Sequence, residues 1–191
     1  MAIRTDGTAW AWGYNGHGQL GDGTTHNRFT RKEVSALDSV IAVSAGSNHS
    51  LALRSDGVVW AWGSNSNGQT ATPGTGIRKK PVEVIGLDQV TSIDAGAEDS
   101  FGVRSDGTAW GWGENNSGQL GDGSADGSYT PVEVAHIGPL AAVSAGASHT
   151  LGVRTNSTAW SWGSNSQGEL GNGGTGRRQY AGRVHGPRHG A

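Results

Sequence analysis

The chain has 191 residues, a formal net charge of −2, 34 glycines, eight tryptophans, one methionine and no cysteine. So slight an acidity supplies no overall field toward nucleic acid or an anionic membrane, and the lack of cysteine excludes disulfides and thiolate metal sites. No apolar run approaches the roughly 20 residues that span a bilayer. The start, Met1-Ala2-Ile3-Arg4, has no basic segment followed by an apolar one, so the expectation is a soluble chain without a signal peptide. These features do not determine localisation; the cytoplasm is favoured.

In chain order, Trp10-Ala11-Trp12 opens a pattern that returns as Trp60-Ala61-Trp62, Trp110-Gly111-Trp112 and Trp160-Ser161-Trp162, at a step of 50 residues. A fixed period of that length signals a repeat architecture. Within a copy, Val40 to Ala45 and Ser50 to Leu53 are short apolar runs separated by Gly46, and they are predicted strands. Asp56-Gly57 tolerates positive φ and predicts a tight hairpin into Val58 to Gly63; Asp6-Gly7 and Asp106-Gly107 repeat it, whereas Asn156-Ser157 stands in the fourth copy and loosens that turn. A Gly-rich loop follows, and then Pro81-Val82-Glu83-Val84 and Pro131-Val132-Glu133-Val134 predict a fourth strand with proline at its start.

Alternation along a strand sends both tryptophans of a pair to one face and leaves the small central residue on the other, so bulky faces can pack on shallow ones. All eight tryptophans, Trp10, Trp12, Trp60, Trp62, Trp110, Trp112, Trp160 and Trp162, are therefore assigned to the blade core. The expected fold is all-β, a β-propeller of four-stranded antiparallel blades, about four in this chain. Blades are expected at approximately 1–49, 50–99, 100–149 and 150–184 in a single repeat domain, with 185–191 a flexible C-terminal tail.

Asn48-His49-Ser50-Leu51-Ala52-Leu53-Arg54-Ser55-Asp56-Gly57, leading into Trp60-Ala61-Trp62-Gly63 and Gly68-Gln69, resembles the repeat of the regulator of chromosome condensation family, in a bacterial-type member or a partial propeller. The resemblance implies a propeller, usually seven-bladed, and activities ranging from guanine nucleotide exchange on a small GTPase to inhibition of β-lactamases. In exchange factors of the family one propeller face contacts the GTPase, and the matching positions include His49, Asp99 and His149.

The first copy lacks a Val-Ser-Ala-Gly strand before Met1-Ala2-Ile3-Arg4 and none follows Arg183-Val184, which makes fifteen strands and two open ends. Bare blade faces and strand edges associate unless covered, so self-association, approximating an eight-bladed homodimer, is expected; the alternatives are another polypeptide or a longer gene product.

His49, Asp99 and His149 occupy one repeat position and are expected around one end of the central channel, where they either tie adjacent strands or form a binding or acid-base set. Arg31, Lys32, Arg78, Lys79, Lys80, Arg177 and Arg178 fall in the variable loop and would form a basic arc if those loops share a rim. Gly21 to Thr24, Gly121 to Ser124 and Gly171 to Gly174 match neither a Walker loop nor an EF-hand and are expected to be turns. His185 and His189 sit in the tail. No metal, cofactor or catalytic residue is assigned. The expected function is a protein-interaction scaffold that binds a protein partner, including itself, with no role at membranes and with nucleic acid a disfavoured partner. The alternatives are an enzyme or small-molecule-binding protein with a channel-mouth site, and a guanine nucleotide exchange factor-like regulator.

Overall fold

A computed structural model describes residues 1–184 of the chain, and the tail at 185–191, with His185 and His189, lies outside them. Among the described residues every element is a strand, and the strands form four antiparallel sheets in which neighbours follow chain order. The first sheet has three strands, β1 (Ala2–Ile3), β2 (Ala9–Gly13) and β3 (Arg28–Glu33). The second runs β4 (Val40–Ala45), β5 (His49–Arg54), β6 (Val59–Gly63) and β7 (Arg78–Glu83). The third runs β8 (Val90–Ala95), β9 (Asp99–Arg104), β10 (Ala109–Gly113) and β11 (Ser128–Glu133). The fourth runs β12 (Leu140–Ala145), β13 (His149–Arg154), β14 (Ala159–Gly163) and β15 (Arg178–Arg183). These are the blades expected from the sequence, with β8 lying between β4 and β12 at the inner edge.

The blade limits differ from those expected at 49, 99 and 149. A boundary there would cut β4 from β5, yet these strands pair from Val40↔Arg54 to Ala45↔Ser50 and belong to one sheet. The repeat is cyclic, so its phase is ambiguous in sequence, and the hairpin across Gly46 decides it. The fourth strand also begins earlier, at Arg78 and Ser128 rather than at proline. Pro81 and Pro131 stand inside these outer strands, at a break in register between Ala61 and Gly63 and between Gly111 and Gly113. A bulge on an outer strand has no ladder bond for the missing N–H to lose.

The hairpin turns form as expected: Gly57 lies at φ 81° and donates its N–H to the Arg54 carbonyl at 3.0 Å. Ser157 takes the same place at φ 63° and keeps the bond to Arg154 at 2.9 Å, so the fourth turn is not loosened but strained. The long loop after each tryptophan pair is organised by a fully buried asparagine. The Asn15 side-chain oxygen accepts from the Leu20 N–H at 2.9 Å, and its amide donates to the Thr24 and His26 carbonyls. Asn65, Asn115 and Asn165 repeat the acceptor bond toward Thr70, Leu120 and Leu170.

The core lies between sheets. Trp62 packs among Ala9, Ala11, Leu20 and Val34 of the first sheet, Trp112 among Leu51, Leu53 and Ala61 of the second, and Trp162 among Phe101, Val103 and Leu120 of the third. A bulky face thus meets a shallow one, as the pattern implies. The eight tryptophans are not equal, however. Trp62, Trp112 and Trp162 are fully buried, whereas Trp10, Trp60, Trp110 and Trp160 are half-buried. Trp12 is 49% exposed and is not a core residue, because among the described residues no sheet stands in front of it.

Candidate functional site

His49, Asp99 and His149 begin β5, β9 and β13, each opposite a glycine of the next strand: Gly63, Gly113 and Gly163. His49 is buried between blades, with Nε2 2.8 Å from the Ser100 hydroxyl of the following sheet. Burial pushes its pKa down to about 4, so the ring is neutral at pH 7. Asp99 is shorter, and neither of its carboxylate oxygens has a hydrogen-bonding partner of ordinary geometry. Burial first, and then the negative charge of Glu114, raise its pKa to about 8. His149 is only partly covered. Among the described residues no three histidine, aspartate or glutamate side chains converge as ligands for an ion. The surface at the adjoining turns is formed by Ala45, Gly46 and Ser47 and their equivalents, and Glu98 completes the turn between β8 and β9, where its carboxylate accepts from the Asn48 amide. The three residues are therefore not brought together as a channel-mouth set; His49 acts as an inter-blade tie.

The basic residues do not form one arc. Arg78 stands opposite Gly63 and Arg178 opposite Gly163, and the first-sheet residue in that register is Arg28, opposite Gly13. Arg31 and Lys32 lie further along β3, with Lys32 opposite Ala11 and Arg31 beside Trp12. Arg78 turns into its own loop, where it donates to the Thr72 hydroxyl at 2.8 Å and to the Pro73 carbonyl at 2.6 Å. Arg177 donates to the Asn116 carbonyl at 2.8 Å. Lys79 and Lys80 remain exposed on β7.

The two outermost blade faces are the surfaces that stand out. On the first sheet Trp12, Phe29 and Arg31 outline an open hollow of about 650 Å³, continued by Ala2, Arg4 and Trp10. Phe29 is 98% exposed. On the fourth sheet Leu151 and Val153 are 42% and 45% exposed, although Leu51, Leu53, Phe101 and Val103 at the same positions are fully buried. Sequence reasoning anticipated bare ends but not these residues. The signal was present in the repeat: a tryptophan pair needs a sheet before it, and the Leu-x-Val strand needs one after it.

The class is that of a β-propeller blade array. Three segments, 6–53, 56–103 and 106–153, match the family described as the regulator of chromosome condensation (RCC1) repeat, and 40–69, 90–119 and 141–169 match a second description of the same repeat. The chain belongs to the RCC1-repeat family. It is 39% identical over 54 residues to the zebrafish protein RCC2 homolog and 37% identical over 54 residues to mouse protein RCC2; each match covers 27% of this chain, and 11% and 10% of those proteins. The fold is similar to that of Saccharomyces cerevisiae Prp20p, with a TM-score of 0.87, 23% identity, and coverage of 98% of this chain and 48% of that one. It is also similar to human WBSCR16, with a TM-score of 0.84, 21% identity, and coverage of 97% and 50%. The chain thus spans about half the length of these structures and about a tenth of those relatives.

Proposed function

We propose that this chain is a protein-binding module that engages its partners, including a second copy of itself, through the two uncovered blade faces. The observation that carries this is the exposure of Trp12 and Phe29 on one face and of Leu151 and Val153 on the other. Contiguous apolar surface of this kind is removed from water when a partner covers it. Yeast RCC1 (Prp20) has been solved bound to Kap60, and Prp20p has been studied for binding to Gsp1p and histones, so protein recognition is a property of similar propellers.

The test is the mass of the 191-residue chain by light scattering over a dilution series from about 100 μM to below 1 μM. The expected result is a mass above that of the monomer at the upper end, falling on dilution. A folded monomer throughout would overturn self-association.

A further inference from the structure

The two open faces are the unmatched halves of a contact that the chain already makes three times. At each internal boundary the second tryptophan of one sheet reaches the loop of the sheet before it. Trp62, Trp112 and Trp162 donate their indole N–H to the carbonyl oxygens of Gln19, Gln69 and Gln119, at 2.9, 2.9 and 2.7 Å. The same indoles cover Gly21 and Gly121 so closely that an added Cβ would lie 2.7 Å from Nε1. A second contact lies further out: Lys79, Tyr129 and Gln179 of the outer strands close over Gly18, Gly68 and Gly118. A third joins the loop to the outer strand, with the N–H of Gly23 donating to the Lys79 carbonyl at 2.9 Å and that of Gly123 to the Gln179 carbonyl at 3.1 Å.

At the fourth sheet the receiving half of this contact is built but uncovered. Among the described residues, Gly168 has no atom within 4 Å of where its Cβ would stand, and at Gly171 only Val184 comes that near. Both glycines are exposed, whereas their equivalents Gly18, Gly68 and Gly118, and Gly21, Ala71 and Gly121, are buried. The donating half stands uncovered on the first sheet, in Trp12 and Phe29.

Resting on the reading that the open faces bind, we infer that a second copy of this chain docks head to tail, in the register of the internal boundaries. Trp12 of one copy covers Gly171 of the other and donates its indole N–H to the Glu169 carbonyl oxygen. Phe29 closes over Gly168 and accepts the Gly173 N–H at its own carbonyl. Leu151 and Val153 form the wall that the Trp12 ring meets, as Leu51 and Leu53 do for Trp112. Such an interface is heterologous, since one surface meets a different one rather than itself.

Two substitutions at exposed positions test this, Trp12→Ala on the donating face and Leu151→Glu on the receiving face, with a cooperative thermal melt showing that each chain is folded. Head-to-tail docking makes each variant monomeric alone at a concentration where the unaltered chain associates. A mixture of the two forms a 1:1 complex that grows no further, because only the intact Trp12 face and the intact Leu151 face can meet. Loss of association with Trp12→Ala but not with Leu151→Glu would mean that the tryptophan face meets itself, which overturns the register and leaves self-association standing. Association untouched by both would overturn the register and move the contact off these faces. A monomeric unaltered chain would overturn both readings.

Discussion

Trp62 and Gln19 stand 43 residues apart and in different sheets, yet the Trp62 indole N–H lies 2.9 Å from the Gln19 carbonyl oxygen. Ser50 donates its hydroxyl to the same oxygen at 2.9 Å. One loop carbonyl therefore anchors two strands of the following blade, and Gln69 and Gln119 do the same for Ser100 and Thr150. Each blade is held by its successor, so the array is a chain of nearest-neighbour contacts.

That arrangement makes equivalent tryptophans unequal in energy. Trp112→Ala empties a site enclosed by Leu51, Leu53 and Ala61 and leaves the Gln69 carbonyl with one donor fewer. The expected loss is about 3–5 kcal/mol. Trp12→Ala removes a half-exposed ring and is expected to cost less than about 1 kcal/mol in the monomer. Urea melts followed by circular dichroism separate the two; equal costs would mean that burial between blades is not what the tryptophans supply.

A second consequence lies in a broken repeat. Trp10, Trp110 and Trp160 donate their indole N–H to the hydroxyls of Thr8, Thr108 and Thr158 at 3.0, 3.2 and 3.0 Å. Val58 holds that position in the second blade, and the Trp60 N–H is buried without an acceptor. Val58→Thr supplies one, and the new hydroxyl can also donate to Asp56 as Thr8 and Thr108 do to Asp6 and Asp106. Satisfying a buried donor is expected to raise stability by about 0.5–1.5 kcal/mol. A variant that melts below the parent would show that the valine methyl contributes more than the lost bond.

The fold was legible because repetition multiplies weak signals. One Trp-x-Trp strand after Asp-Gly is ambiguous, but four in phase specify blades. Phase itself was not legible: the pairing of Val40 with Arg54 is a tertiary fact, and nothing local marks Gly46 rather than His49 as interior to a blade. The site was less legible still. Trp12 reads like Trp62, and only the absence of a preceding sheet exposes it. The basic residues looked collinear in sequence, but a register offset of three residues puts Arg31 beside Trp12 and aligns Arg28 with Arg78.

Backbone strain gives a third prediction. Ser157 holds φ at 63°, where Gly7, Gly57 and Gly107 stand at 80°, 81° and 84°. A Cβ in the left-handed region costs roughly 1–2 kcal/mol, which is offset in part by the greater unfolded-state freedom of glycine. Ser157→Gly is expected to stabilise the chain by about 0.5–1 kcal/mol, read as a rise in thermal midpoint. A fall would show that the serine contributes a contact outweighing the strain.

Asp99 makes stability fall with rising pH between about 4 and 8. Its pKa rises from 3.8 to about 8, through burial above all, with Glu114 and Asp94 adding negative charge nearby. The folded state therefore keeps a proton that the unfolded state releases near pH 4. The stability this provides is complete below the unfolded pKa and is lost as pH rises toward about 8. The expected slope is up to about 1.4 kcal/mol per pH unit for one proton. His49 acts in the opposite sense: its pKa falls from 6.5 to about 4, so stability is lost as pH drops through that window. Asp99→Asn carries no charge to bury, so melts between pH 5 and 9 should show the variant gaining on the parent as pH increases. A constant difference across that range would mean that Asp99 is already ionised in the folded chain and that a partner offsets its charge.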